Sequence, residues 1–339
     1  MDDSVEVKSI SQHELTKTEN LLLVIITIIV AAVGTILYSA GFNNSFVSTN
    51  EIYRIVMDFI SSLGSQIFII LYFCFFYFIF DKEFSRRLIN VFLLSHFTNT
   101  LIKNIFQDPR PPTNCLDLQY CETSYGFPSA HSQNAIAFFG YIYLEMQDHK
   151  EHRSQKLIQA YTIFCMMLIP FSRLVIGVHD VDDVFGGAVI GLIYLLLFYI
   201  IEPKFGKFIG VKPVVQQIII SVVGAIVVFI TILFAFPEEA PDFAIVGGIL
   251  LGVAIAFPLE DKYVNYNPRI LKGNQKIVIF IIGTLITFIT YFLSGQIFES
   301  ILIIPYIKNI IQFFLVTFVI VFLCPWIFTR ILKTKKNTT

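Results

Sequence analysis

From Leu21 to Gly41 the chain carries no charged side chain, and stretches of the same kind recur to its far end. A hydrocarbon layer about 30 Å thick takes roughly 20 apolar residues per helical crossing. In that solvent each backbone N–H and C=O must be satisfied within its own segment, so such runs fold as helices. Candidate membrane helices are Leu21–Gly41, Ser65–Phe80, Leu88–Phe106, Ser132–Met146, Leu157–Val175 and Val184–Ile201. Four more follow at Val214–Phe236, Phe243–Pro258, Ile277–Leu293 and Ile310–Leu332. With 55% apolar and only 14% charged residues, 36 of the 339 being Phe, the chain is no soluble domain. The expected fold is all-α, a polytopic membrane helix bundle of about ten transmembrane helices.

The breaks between runs have chemical causes. Asp108–Pro112 reads DPRPP, and its prolines lack the backbone donor that would extend the third helix. Phe127-Pro128 opens the fourth. Asn44–Leu63 mixes polar and apolar positions and suits an interfacial helix leading into the second span. Ile297–Lys308, with Pro305, reads as a second interfacial or re-entrant piece. Gly187 and Gly191 form a small-residue face on the sixth helix, and Gly248 and Gly252 repeat the spacing on the eighth. Residues 1–19 are a polar, slightly acidic tail without the basic start of a signal peptide, so the first apolar run is read as a retained helix.

Loop charge sets the orientation, because Lys and Arg concentrate on the cytoplasmic side. Of the 24 Lys and Arg, only Arg54, Lys103, Arg110, Arg173 and Lys308 fall on one side of the ten-span arrangement; the other 19 fall opposite. Both termini are therefore expected in the cytoplasm, and the loops bearing Lys103, Arg110 and Arg173 on the periplasmic, extracellular or lumenal face. No basic tract suggests nucleic-acid binding. Glu238, Glu239 and Asp242 make the one extracytoplasmic loop of the last four helices acidic. Glu260, Asp261 and Lys262 close a cytoplasmic helix end, and no second catalytic constellation is visible there.

Three short blocks carry the chemistry: KNIFQDPRP at Lys103–Pro111, PSAH at Pro128–His131, and SRLVIGVHDVDD at Ser172–Asp183. Strong cations with two imidazoles suit phosphate ester cleavage without a metal. The cations neutralise phosphoryl oxygens, one imidazole attacks, and the other protonates the leaving group. If the chain is helical from Val181, His179 and Asp183 share a face and can touch, whereas Asp180 and Asp182 are disfavoured by spacing.

Together the blocks resemble the type 2 phosphatidic acid phosphatase superfamily. Lys103, Arg110 and Pro111 match its first motif, and Pro128, Ser129 and His131 its second. Ser172, Arg173, His179 and Asp183 match the third. Ala130 stands where the family has Gly, a residue that would serve φ > 0 or close approach of the backbone to phosphate. The resemblance implies a six-helix phosphatase core over residues 20–201, leaving 202–339 as a four-helix membrane extension read as scaffold. It implies His179 as the nucleophile that becomes a phosphohistidine, Asp183 as its partner, and His131 as general acid and then base. Lys103, Arg110, Arg173 and Ser129 would bind the phosphoryl group. No metal and no cofactor are implied.

The substrate best suited to a site at the membrane–water boundary is a lipid phosphate or pyrophosphate. The loop Thr113–Tyr125 lacks the cationic patch that a large polyanionic headgroup would need. Alternatives are a lipid phosphotransferase using the same intermediate, a sugar-phosphate phosphatase, and a non-catalytic lipid transporter or scaffold. Neither the lipid nor the oligomeric state follows from the sequence. Cys115 and Cys121 flank the polar loop between the first two motifs and would form a disulfide in an oxidising compartment, or else remain thiols. Cys74, Cys165 and Cys324 lie in apolar runs and read as packing residues. His96 matches no motif and is read as buried or pocket-lining; His13, His149 and His152 are read as solvated.

Overall fold

The structure is a computed structural model and describes residues 14–115, 121–148, 152–236, 240–301 and 304–336. His13, His149, Glu238, Glu239 and most of the expected tail lie outside these residues, as do the side chains of His152 and Asp242. Among the described residues the chain is all-α, without strands. Its helices are α1 (Lys17–Ser39), α2 (Glu51–Ser62), α3 (Gln66–Phe75), α4 (Lys82–Phe106), α5 (Ala130–Glu145) and α6 (His152–Ile176). They continue with α7 (Val181–Gly210), α8 (Val214–Ala235), α9 (Ala240–Tyr263), α10 (Gly273–Ser300), α11 (Pro305–Phe318) and α12 (Cys324–Lys336). A π-helical turn, Phe76–Phe80, extends α3, and another, Val319–Leu323, joins α11 to α12.

All ten expected runs are helical, but the count of ten spans is not met by length and apolarity. Seven helices qualify among the described residues, and an eighth if α2 and the α3 run, bent by 46° at residues 63–65, count as one. The shortfall is α4 and α5. Their facing sides carry a polar ladder in place of apolar surface. Ser95 donates to Asn134 Oδ1 at 2.9 Å, and Asn99 Nδ2 to Gln133 Oε1 at 2.9 Å and to the Pro128 carbonyl at 3.1 Å. Gln133 Nε2 returns a bond to the Ser95 carbonyl at 2.8 Å. Amides buried within a bundle are tolerated when they satisfy one another. A second difference concerns Ile297–Lys308, which is no separate interfacial piece: α10 runs on to Ser300 and α11 starts at Pro305, a first-turn proline.

The chain divides into two compact units. One holds the described residues up to Ile70 together with Leu88–Lys204; the other holds Leu71–Arg87 and the described residues from Phe205 onward. The division falls after Ile70, Arg87 and Lys204, inside α3, α4 and α7, and the first two of these places are invisible to a linear reading.

In the first unit α2 packs on α6 through Met57 against Val175, Ile176 and Val178. The glycine face of α7 meets the start of α5. A Cβ on Gly187 would lie 2.6 Å from the Ser129 carbonyl, and one on Gly191 2.7 Å from that of Gln133. Only glycine lets these backbones approach so closely. In the second unit Gly248 and Gly252 of α9 lie in the same way against Ile310 and Thr317 of α11.

Candidate active site

The three motifs come together in the first unit, around the connection between α4 and α5 and the turn between α6 and α7. That turn is made by Gly177, whose φ of +86° places it in the left-handed region. It ends α6 four residues after Arg173 and starts the strap that carries His179. Asp180 then caps α7: its Oδ1 accepts from the Asp183 N–H at 3.3 Å and its Oδ2 from Asn43 at 3.1 Å. Helix from Val181 puts Asp183 one turn beyond His179, as the spacing predicts.

His179 is buried between two partners. Its Nδ1 lies 2.8 Å from Asp183 Oδ2, and its Nε2 lies 2.8 Å from Arg110 Nη1. A guanidinium has only donors, so Nε2 must present its lone pair and Nδ1 must carry the proton, donated to Asp183. Burial, then the positive charges of Arg110, Arg173 and Lys103, hold the His179 imidazole well below its usual pKa. The ring is thus a neutral base with its free lone pair aimed at a cation.

Every cation of the group is oriented by the short segment Glu122–Gly126. Lys103, in the last turn of α4, donates to the carbonyls of Tyr125 and Gly126, the latter at 3.0 Å. Arg110 donates from Nε to the Ser124 carbonyl at 2.7 Å, from Nη2 to Ser124 Oγ at 2.9 Å, and from Nη1 to the Val178 carbonyl at 2.7 Å. Arg173 donates to Ser61 Oγ at 2.8 Å and to Glu122 Oε1 at 2.6 Å. Its Nε is buried without a hydrogen-bond partner. An unpaired buried donor costs about 1–3 kcal/mol unless something satisfies it. Burial pulls the Arg110 guanidinium down from its ordinary pKa, without bringing so strong a base near neutrality.

Ser129 is fully buried as the cap of α5, accepting from the Ser132 N–H at 3.5 Å, and its own N–H donates to the Asp183 carbonyl at 2.9 Å. Ala130 is the first residue of α5 and has no positive φ, so alanine there is unstrained. His131 follows in the first turn, half-buried, within electrostatic reach of Arg173, Arg110 and Lys103. Gly64 packs beside its ring. His96 lies off this group; it stacks on Phe92 and meets Asn134 at 3.1 Å. Ser172, though a motif residue, bonds back to the Ile169 carbonyl within α6. Cys115 and Cys121 are joined as a disulfide.

Reading by motif missed Glu122, Ser124, Ser61 and Asn43. Glu122 alone had a signal, as one of two carboxylates, with Asp117, in the loop between the first two motifs. The others act through backbone, hydroxyl or amide groups that any polar loop offers.

Comparison with known proteins bears on the family. The model of the PAP2 superfamily matches residues 84–207, and that of the PAP2 superfamily phosphatase transmembrane extension matches residues 243–336. Sphingosine-1-phosphate phosphatase 2 of Homo sapiens is 29% identical over 157 residues, 45% of this chain and 39% of that protein. Phosphatidylglycerophosphatase B of Bacillus subtilis is 36% identical over 83 residues, 24% of this chain and 39% of that protein. The matched stretch spans about two fifths of the length of such relatives. A crystal structure of a transmembrane PAP2 type phosphatidylglycerolphosphate phosphatase from Bacillus subtilis aligns over 55% of this chain and 96% of its own. Its TM-score is 0.43 at 26% identity. With both family models falling on the two halves of a helical membrane protein, the chain belongs to the PAP2 superfamily.

Proposed function

We propose that this chain is a metal-independent phosphatase that removes phosphate from a membrane lipid phosphate through a phosphohistidine on His179. The observation that carries the reading is the line Asp183–His179–Arg110. One ring nitrogen is tied to a carboxylate, and the other meets the guanidinium that a phosphoryl oxygen would engage. With substrate bound, Arg110, Arg173 and Lys103 hold the phosphoryl oxygens, with Ser129 at the start of α5 beside them. The Nε2 lone pair attacks phosphorus, and the bond from phosphorus to the lipid oxygen breaks. His131 gives that oxygen its proton. Water then attacks phosphorus, His131 takes a proton from it, and the P–N bond breaks to restore His179. Asp183 stabilises the positive charge on the imidazole throughout and keeps its own charge.

The charges of the cage neutralise the transferring group, a task otherwise assigned to a metal ion. The lipid class is supported by the membrane helices around the site and by relatives named for sphingosine-1-phosphate and phosphatidylglycerophosphate. The Lys and Arg asymmetry of the loops favours an extracytoplasmic site with cytoplasmic termini.

The test is phosphate release by purified protein over a panel of lipid phosphates, with and without EDTA. Turnover should survive the chelator, fall to vanadate, and drop by about 10⁴-fold or more in His179→Ala. Full activity in His179→Ala, or a strict need for added magnesium, sinks the proposal.

A further inference from the structure

Glu122 is the single carboxylate bonded to a cation of the cage among the described residues, and no motif includes it. Its Oε1 takes the Arg173 bond at 2.6 Å, and its Oε2 stands 3.9 Å from Arg110 Nη2. Its backbone is clamped on both sides by Asn114, which accepts from its N–H at 3.2 Å and donates to its carbonyl at 2.9 Å. The disulfide ends at the residue before it. The Glu122 side chain is 37% exposed, against 6% for Arg173 and 10% for Arg110. It therefore stands on the solvent side of two buried guanidinium groups. Burial alone would raise its carboxyl, but the Arg173 and Arg110 charges outweigh that and hold it below the usual carboxylate range. It is therefore an anion at neutral pH.

Two consequences follow from this placement. With Glu122 and Ser61 each taking one N–H of Arg173, its other N–H groups remain for a phosphoryl oxygen, among them the Nε, buried without a partner among the described residues. Glu122 also sets one negative charge at the exposed edge of the cage. If the buried cations hold one phosphoryl group, a second on the same ester lies towards the exposed side, where it meets a like charge.

We propose that Glu122 is a positioning residue that sets the charge selectivity of the cage. It holds Arg173 ready for one phosphoryl group and disfavours a second, so the chain acts on lipid monophosphates in preference to diphosphates. The inference deepens the phosphatase reading and rests on it.

The experiment uses the full chain in detergent micelles with farnesyl monophosphate and farnesyl diphosphate, which share one tail. Wild type should show kcat/KM about tenfold higher for the monophosphate. Glu122→Gln should raise the diphosphate-to-monophosphate ratio about tenfold, and Glu122→Asp, which keeps the charge, should stay near the wild-type ratio. A merely structural Glu122 would lower both rates by one factor and leave the ratio alone, which overturns the inference. Should Glu122→Gln fail to fold, inhibition of wild type decides: inorganic phosphate should bind about tenfold tighter than pyrophosphate. Equal or tighter binding of pyrophosphate overturns the inference while the phosphatase reading stands. No turnover of either substrate, or of any lipid in the panel, overturns both.

Discussion

Each unit of this chain buries a cluster of cations, and the two clusters are closed in different ways. In the unit that includes α9, Lys82 reaches Glu260 at 3.1 Å and Asp261 at 3.0 Å, and Arg86 reaches Asp261 at 2.6 Å and Glu83 at 3.3 Å. Arg269 is paired with Asp81. Every cation there meets a carboxylate, and Glu260 is also anchored by the Tyr266 N–H at 2.6 Å. In the motif-bearing unit Glu122 is the one carboxylate bonded to the three cations among the described residues; they are otherwise held by carbonyl and hydroxyl oxygens and, for Arg110, by His179 Nε2. Such oxygens orient a cation without cancelling its charge. A cluster neutralised by its own carboxylates has a structural role; one steered by neutral dipoles keeps charge in reserve for an anion from outside.

Removing one cation from each cluster tests this contrast most sharply. Arg110→Ala should cut kcat/KM for a lipid phosphate by about 10²–10³-fold with little change in thermal unfolding. Arg86→Ala should do the reverse, keeping kcat/KM within about twofold while costing about 2 kcal/mol of stability, since Lys82 still faces Glu260. Equal losses of turnover in the two variants would end the distinction. A smaller effect comes from the staple that only the motif-bearing unit has. Cys74, Cys165 and Cys324 are free and buried, so a mild reductant acts on Cys115–Cys121. Opening so short a loop releases about 2 kcal/mol of chain entropy, and kcat/KM should fall by up to about tenfold as Glu122–Gly126 loses its anchor. Unchanged kinetics in Cys115→Ser would show that the segment orders itself.

The smallest effect is read by titration. All six histidines lie in the motif-bearing unit's stretches of sequence. Because the His179 pKa is lowered, its neutral form persists as pH falls. At pH 6, where an ordinary imidazole is mostly protonated, His179 should still be neutral by nitrogen NMR of labelled histidine. The unfolded chain binds that proton at about 6.5, so this residue subtracts stability as pH drops below that value. A charged His179 ring at pH 6 would contradict a cage with unspent positive charge.

Legibility followed the range of the interaction. His179 and Asp183 are one helical turn apart, so local geometry alone pairs them and rejects Asp182. Asp180 too has a local role, as the cap of α7. The apolar runs foretold each helix. They could not foretell that α4 and α5 would turn Ser95, Asn99, Gln133 and Asn134 toward one another. That ladder lowers the apolarity of both helices, and α5, at 16 residues, is also short for a free-standing span. The segment Leu71–Arg87, which groups with the C-terminal stretch, was equally hidden, because its ends fall inside the continuous helices α3 and α4.

Chain order alone determined a helical membrane protein, the cations and imidazoles of the three motifs, and the pairing of His179 with Asp183. These are set by solvent, by residue chemistry, and by spacing within a turn or two. Only the tertiary structure decided that Glu122–Gly126 orients all three cations and that one cluster of charge is closed and the other open. Carbonyl oxygens are the same in every residue, so where they point is a property of the folded path and not of the letters along it.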